Sequence, residues 1–216
     1  MTNEPTGEIL RLWPILIMRR RFPKHEACKQ DLLRLVEEYM AANPQTRIAS
    51  ENRNLYESEY GIIPKYYDQN TGLKNLTDFF VESFREISTE ANAAAWRDKG
   101  LDTQNFAVQI TGSWFINYLD SGNVEPHVHG NSSWSCAYYL QLGDTQEAKD
   151  GGTYLLSPLN EKSNDLGDLY IKNSCFDVRA EEGFALFFPS FLSHGSYPYR
   201  GADPRIIFSC NAKVVG

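Results

Sequence analysis

Positive charge is the first thing in short supply. The chain has 21 lysines and arginines against 28 acids, a formal net charge of -7. A nucleic-acid partner demands lysine and arginine clustered on one face, so this balance argues against one. The single basic run, Arg19-Arg20-Arg21, ends an apolar stretch and reads as a solvated strand exit. Long apolar runs are missing too. No stretch approaches the roughly 20 residues that a membrane-spanning helix requires. The opening segment MTNEPTGE is polar and acidic, without the basic and apolar blocks of a secretory leader.

Cysteine is sparse and scattered. Cys28, Cys136, Cys175 and Cys210 form no C-x-x-C pair and no disulfide-rich spacing. Cys136 and Cys210 fall within apolar β-like runs, where a free thiol behaves as a small hydrophobe. A reducing compartment fits this usage, and a cytoplasmic location is expected. Internal repeats, low-complexity tracts and linkers are also lacking, so 216 residues are expected to form one domain, 1–216.

What is present divides near Gly100. The first part, 1–100, reads as a strand over Leu10–Met18, bent at Pro14, and two supporting helices. From Lys24 to Ala42, Leu32, Leu35, Val36, Tyr39 and Met40 recur at helical steps, and Asn43-Pro44 stops the run. Leu73, Leu76, Phe80, Phe84, Ile87 and Ala91 stripe a longer helix that ends before Lys99-Gly100. Between the helices, Glu51–Asn70 reads as a covering loop.

From 101 to 216 short apolar runs alternate with turn residues. Strands are expected over Phe106–Ile110, Ser113–Leu119, Trp134–Leu142, Thr153–Leu156, Phe176–Arg179, Phe184–Phe188 and Arg205–Lys213. Asp120–Asn123, Asp150–Gly152 and Asn164–Gly167 supply turns. This pattern predicts an α+β, mainly β fold, a barrel or two-sheet core with the N-terminal helices packed outside it.

Histidine is scarce, which makes its placement informative. Of four histidines, three fall in the β-rich part. His127 and His129, two apart, share a face if the segment is extended. His194 follows 67 residues later, at the end of an apolar strand, where antiparallel strand ends can meet. Three imidazoles on one point suit iron, zinc, copper or nickel and leave open positions for substrate or dioxygen. His25, at a polar helix start, is expected to face solvent. Arg205 heads the apolar strand Arg205–Asn211, and an arginine entering a core is costly unless it meets an anion, for which its planar fork suits a carboxylate.

The order H-x-H, distal histidine, then arginine eleven positions on resembles the iron(II)/2-oxoglutarate-dependent dioxygenase superfamily, and more narrowly its 2OG-Fe(II) oxygenase group. Ser113–Leu140, Gly151–Leu155 and Gly183–His194 carry the likeness. The resemblance implies a double-stranded β-helix, a jelly-roll of cupin-like type, with metal at its open end. It implies His127 and His194 as iron(II) ligands, and Arg205 gripping the far carboxylate of 2-oxoglutarate as co-substrate. Ser209, Asn211 and Tyr139 are further pocket candidates, with Tyr138 and Asn117 beside them. Trp114, Trp134, Phe187, Phe188 and Phe191 are candidates for a dry wall.

Two positions depart from the superfamily. His129 stands where a carboxylate belongs, and Ile207 where a serine is usual. Glu125 alternates with both histidines and is a candidate carboxylate behind them. The expected activity is oxidation of a small-molecule or peptide substrate with dioxygen. Two other readings stay open: a three-histidine metal enzyme independent of 2-oxoglutarate, either a dioxygenase or a zinc hydrolase, and a non-catalytic jelly-roll.

Overall fold

The computed structural model describes residues 15–45, 54–101, 105–145, 149–159, 166–167 and 174–216. Its elements are β1 (Met18–Arg21), α1 (His25–Ala42), β2 (Leu55–Glu57), α2 (Ile62–Tyr66), α3 (Thr71–Asp98), β3 (Ala107–Tyr118), β4 (Trp134–Gln141), β5 (Thr153–Leu156), β6 (Cys175–Asp177), β7 (Phe184–Pro189), β8 (His194–Ser196) and β9 (Arg205–Val215). Every strand pairing is antiparallel. Six strands form one sheet in the order β1-β7-β4-β9-β3-β2, and three form a second in the order β6-β5-β8.

The helices begin and end where side-chain chemistry allows. Asn70 caps α3 by accepting the Leu73 amide at 2.7 Å, satisfying one of the donors a helix start leaves open. The helix ends into Gly100, whose φ of +66° closes the last turn in the left-handed region. Leu73, Leu76, Phe80, Phe84 and Ile87 of α3 are buried, as are Leu32, Leu35, Val36 and Tyr39 of α1. Ala91, placed on the same stripe from the sequence, is exposed.

The larger sheet separates two apolar layers. On one face, α1 and α3 pack against Phe115, Cys136, Tyr138, Phe187, Phe208 and Cys210. On the other, Trp114, Ile116, Tyr118, Tyr139, Phe188 and Ile207 face the smaller sheet through Leu155 and Val178. Alternation along each strand sends neighbours to opposite layers. This two-sheet jelly-roll with helices outside is the double-stranded β-helix.

Several expectations change. Arg19, Arg20 and Arg21 are not a strand exit; they are β1 itself, an edge strand on β7. Arg19 pairs with Glu181 at 2.6 Å, and Arg20 spans Glu82 and Glu86 of α3, both at 2.8 Å. The strand foreseen over Leu10–Met18 thus begins at its far end, and residues 1–14 lie outside the described set. The Glu51–Asn70 segment holds β2 and α2, with 51–53 outside the described residues. The runs Phe106–Ile110 and Ser113–Leu119 join as β3 across a bulge between Ile110 and Gly112. Asn164 and Asp165 of the turn at Asn164–Gly167 also fall outside the described residues. β8, three residues long, was not foreseen.

His25 faces inward. It is 2% exposed, and its Nδ1 lies 2.6 Å from the Tyr138 hydroxyl. Gly183, at φ +81°, passes so close that a Cβ there would sit 2.8 Å from the ring. Burial pushes the His25 pKa down.

Candidate metal centre and its cavity

The segment before β4 brings His127 and His129 to the open edge of the smaller sheet. His127 is not in a regular strand. It makes an isolated antiparallel bridge directly to His194, with N–H···O bonds of 3.0 Å both ways. The His129 amide donates to the Ser190 carbonyl at 3.0 Å. The sequence thus folds a second extended segment against β8, and this pairing rather than strand periodicity aims the rings. The ring centroids of His127 and His194 are 4.3 Å apart, His127 and His129 4.9 Å, and His129 and His194 5.0 Å.

One nitrogen from each ring lies within 4.8 Å of the others. A small inward rotation lets all three reach one ion at metal–nitrogen distances of about 2.1 Å. Two rings are already locked for this. His127 Nδ1 donates to the Glu125 carbonyl at 2.8 Å, and His194 Nδ1 to the Leu192 carbonyl at 2.9 Å. The same local device, a bond to the carbonyl two residues back, leaves each Nε2 lone pair facing inward. Glu125 therefore supports His127 through its backbone oxygen, where the sequence suggested its carboxylate.

Burial keeps two of these imidazoles neutral. Desolvation, aided by the neighbouring His127, holds His129 down to about 4 and His194 down to about 3. Neutral rings are the metal-binding form. Between pH 6.5 and these values the unfolded chain binds more protons than the native one, so stability falls with pH across that window. We expect metal-free protein to lose about 1–2 kcal/mol per histidine between pH 7 and pH 5, read as a falling melting temperature. Saturating nickel(II) at pH 7 should raise that temperature.

The cavity beside the histidines holds about 370 Å³. Its walls include Trp114, Ile116, Tyr118, Thr153, Phe188 and Ile207. Trp114 packs on His129 at 5.5 Å and Phe188 on His194 at 4.5 Å, so the rings face an apolar surround. Tyr60, half-exposed, meets Trp114 edge-on at 4.6 Å at the rim.

Arg205 lies behind the far wall. It is 1% exposed, opposite Tyr118 in the ladder, with its guanidinium near the rings of Tyr118 at 5.6 Å and Tyr139 at 5.9 Å. Nη1 reaches the Leu142 carbonyl at 3.4 Å, whereas Nε and Nη2 have no hydrogen-bond partner among the described residues. A buried guanidinium with two idle nitrogens is expensive and is suited to an anion. Hydroxyls gather around it: Tyr139 donates to Thr153 at 3.0 Å, and the Tyr118 phenol bonds Ser196. Tyr118, Thr153 and Ser196 were not singled out from the sequence. The strand register opposite Arg205 is the signal that finds them.

Gly151 makes room for the arginine. At φ +62°, a Cβ there would lie 2.8 Å from Arg205 Cδ and Nε. Gly151→Ala should cost about 1–2 kcal/mol from backbone strain and crowding, and displace the guanidinium. Calorimetric titration with 2-oxoglutarate should show weaker binding than the melting-temperature loss alone explains.

Other candidates divide by strand face. Ser209 lines the cavity. Asn211 and Tyr139 share its side of the sheet without being among the lining residues, and the Asn211 Oδ1 is buried without a partner. Tyr138 and Asn117 face the helices instead, Asn117 contacting Met40 Sδ at 3.7 Å. Of the foreseen aromatic wall, Trp114 and Phe188 line the cavity. Trp134 and Phe187 pack toward the helices, and Phe191 is 62% exposed.

The metal set and the orphaned arginine fit the groups that the fold implies. Residues 112–211 match the family model described as "Putative 2OG-Fe(II) oxygenase". No curated protein sequence matches significantly. Among solved structures, the fold is similar to a Trichoplax adhaerens prolyl hydroxylase in complex with a hypoxia inducible factor oxygen degradation domain peptide fragment. That likeness has a TM-score of 0.55 at 16% identity, over 91% of this chain and 83% of that one. A Pseudomonas putida prolyl-4-hydroxylase gives a TM-score of 0.56 at 12% identity, over 91% and 92% of the two chains. HygX from Streptomyces hygroscopicus, with nickel, 2-oxoglutarate and hygromycin B bound, gives 0.55 at 10%, over 91% and 82%. The match to the 2OG-Fe(II) oxygenase model spans residues 112–211, the β-core that carries the three histidines and Arg205, and the solved structures share its fold.

Proposed function

We propose that this chain is an iron(II)/2-oxoglutarate-dependent dioxygenase in which His127, His129 and His194 hold the metal and Arg205 holds the far carboxylate of 2-oxoglutarate. The observation that carries the reading is a buried arginine, with Nε and Nη2 unpartnered among the described residues, set behind the wall of a cavity that the three-histidine cluster borders. When bound, iron(II) would supply the dioxygen chemistry that converts 2-oxoglutarate to succinate and carbon dioxide while a C–H bond of the substrate is oxidised.

The chain's own work is positioning and shielding. The carbonyls of Glu125 and Leu192 fix two imidazoles in the ligating tautomer. Tyr118 and Tyr139 flank the guanidinium, with the Tyr139 hydroxyl on Thr153, so the arginine waits in place for a carboxylate. Trp114, Ile116, Phe188 and Ile207 exclude water from the cavity. Ser209 offers a hydroxyl on the cavity wall, and Asn211 an acceptor further along the same strand. Three neutral imidazoles leave the ion its full double charge, which strengthens attraction for an anionic chelator.

A second reading rests on His129. A three-imidazole set also suits a metal enzyme that works without 2-oxoglutarate, such as a three-histidine dioxygenase or zinc hydrolase. Arg205 separates the two, because only the first reading gives it an anion to hold. The bordering cavity speaks against a metal retained for stability alone. The substrate is a small molecule or a peptide, in keeping with the hygromycin B and peptide-fragment complexes of similar structures. Among the described residues no helix is long and apolar enough to cross a membrane, and the free thiols fit a cytoplasmic setting.

The test is succinate release. Iron(II)-loaded protein given 2-oxoglutarate and air should form succinate slowly without a substrate and faster when a substrate library supplies the right molecule. Succinate formation no greater than in a metal-free control, across the library, would sink the proposal.

A further inference from the structure

Two cysteines that the sequence left 74 positions apart meet in the larger sheet. Cys136 of β4 stands directly opposite Cys210 of β9 in the antiparallel ladder. Both are free thiols, 3% and 0% exposed, packed in the same helix-side layer. Directly opposed residues hold their Cβ atoms about 4.5–5.5 Å apart, while a disulfide takes Cβ atoms about 3.5–4.5 Å apart. The closing movement is therefore small and needs no change of register.

We propose that Cys136 and Cys210 form a redox-active pair that closes into a cross-strand disulfide on exposure to a peroxide. One sulfur, as thiolate, attacks a peroxide oxygen; the O–O bond breaks, giving a sulfenic acid and, for hydrogen peroxide, water. The second sulfur then attacks the first, a second water leaves, and the S–S bond forms. Two thiols are oxidised by two electrons and one peroxide is reduced, with no other reductant needed.

Location sets the pair's rate and its effect. Both thiols pack in the helix-side layer, so a peroxide reaches them through local opening of the sheet and helices. Cys28 and Cys175 lie elsewhere, on α1 and in β6. Burial pushes the Cys136 thiol well up, so thiolate is scarce and closure in the native state is slow. Once closed, the bond fixes β4 to β9 one residue from Ala137 and Ser209, which line the cavity. It also stiffens the strand that begins at Arg205. The inference stands apart from the assignment of metal and co-substrate.

Fully reduced protein, treated for hours with a modest excess of hydrogen peroxide at pH 8, provides the test. The expected product has a mass about 2 Da lower, two alkylatable cysteines where there were four, and a linked peptide pair containing Cys136 and Cys210. Its melting temperature should rise by several degrees and return on reduction with dithiothreitol. The Cys28→Ala/Cys175→Ala double variant keeps the ladder pair and should show the same 2 Da loss. Cys210→Ala should show none within one molecule. A link mapping to Cys28 or Cys175, or oxidation that stops at acids on single cysteines of the wild type, would overturn the proposal.

Discussion

Arg205→Met should remove 2-oxoglutarate binding while leaving the ligand-free protein at least as stable as the wild type. The two effects come from one fact. In the free protein Arg205 is fully buried, its Nε and Nη2 satisfied by nothing among the described residues. Keeping a charge there without a partner costs desolvation, and exchanging buried ionic groups for apolar ones of similar size is often neutral or stabilising by about 1–4 kcal/mol. Methionine fills much of the same volume between Tyr118 and Tyr139 and needs no hydrogen bonds. On the proposed reading the co-substrate, by contrast, loses the group that meets its far carboxylate. Truncating one partner of a buried, hydrogen-bonded charge pair costs about 2–5 kcal/mol, or some thirty- to several-thousandfold in affinity. Melting curves with and without 2-oxoglutarate, in the presence of nickel(II), read both quantities. An unchanged shift in the variant would mean that Arg205 serves packing alone.

The second large effect belongs to the histidines. His194→Ala should abolish tight metal binding, because His194 is the most buried of the three and is tied to His127 through the backbone bridge. Replacing the outer partners of metal ligands already costs about 10–100-fold in affinity, so loss of a ligand should exceed a hundredfold. The bridge itself uses main-chain atoms and survives the substitution, so circular dichroism should be unchanged. His129→Asp tests the departure from H-x-D from the other side. A carboxylate there supplies an oxygen ligand and lowers the net charge of the site, and metal affinity should stay within about tenfold of the wild type. Equilibrium dialysis with nickel(II) measures both variants. Retention of metal by His194→Ala would move the site away from this cluster.

Much of this arrangement was legible in the chain before its fold was known. Helical spacing found α1 and α3, and alternation with turn residues found most strands, because both signals are local. Arg205 stood out because a charged residue headed an apolar strand. What escaped notice depends on partners distant in sequence. His25 looked like a solvated helix start, and only the approach of Gly183 and Tyr138 makes it internal. β1 looked like a strand exit because its arginines meet acids on α3 and near β7. Tyr138 and Asn117 could be assigned to a face only once β3, β4 and β9 had a register, and one residue of slip exchanges the faces. The Cys136–Cys210 pairing is of the same kind, invisible in spacing and plain in the ladder. At the metal site, the two-residue spacing of His127 and His129 was visible, but the bridge that aims His127 at His194 was not.

The most direct measurement is anaerobic titration of iron(II)-loaded protein with 2-oxoglutarate, followed by visible absorption. Binding of 2-oxoglutarate beside the iron should produce a saturable charge-transfer band in the wild type. The same band should be absent from Arg205→Met at matched concentrations and from His194→Ala at any concentration. Tight iron binding with no band at saturating 2-oxoglutarate would contradict the account and put the three-histidine reading in its place.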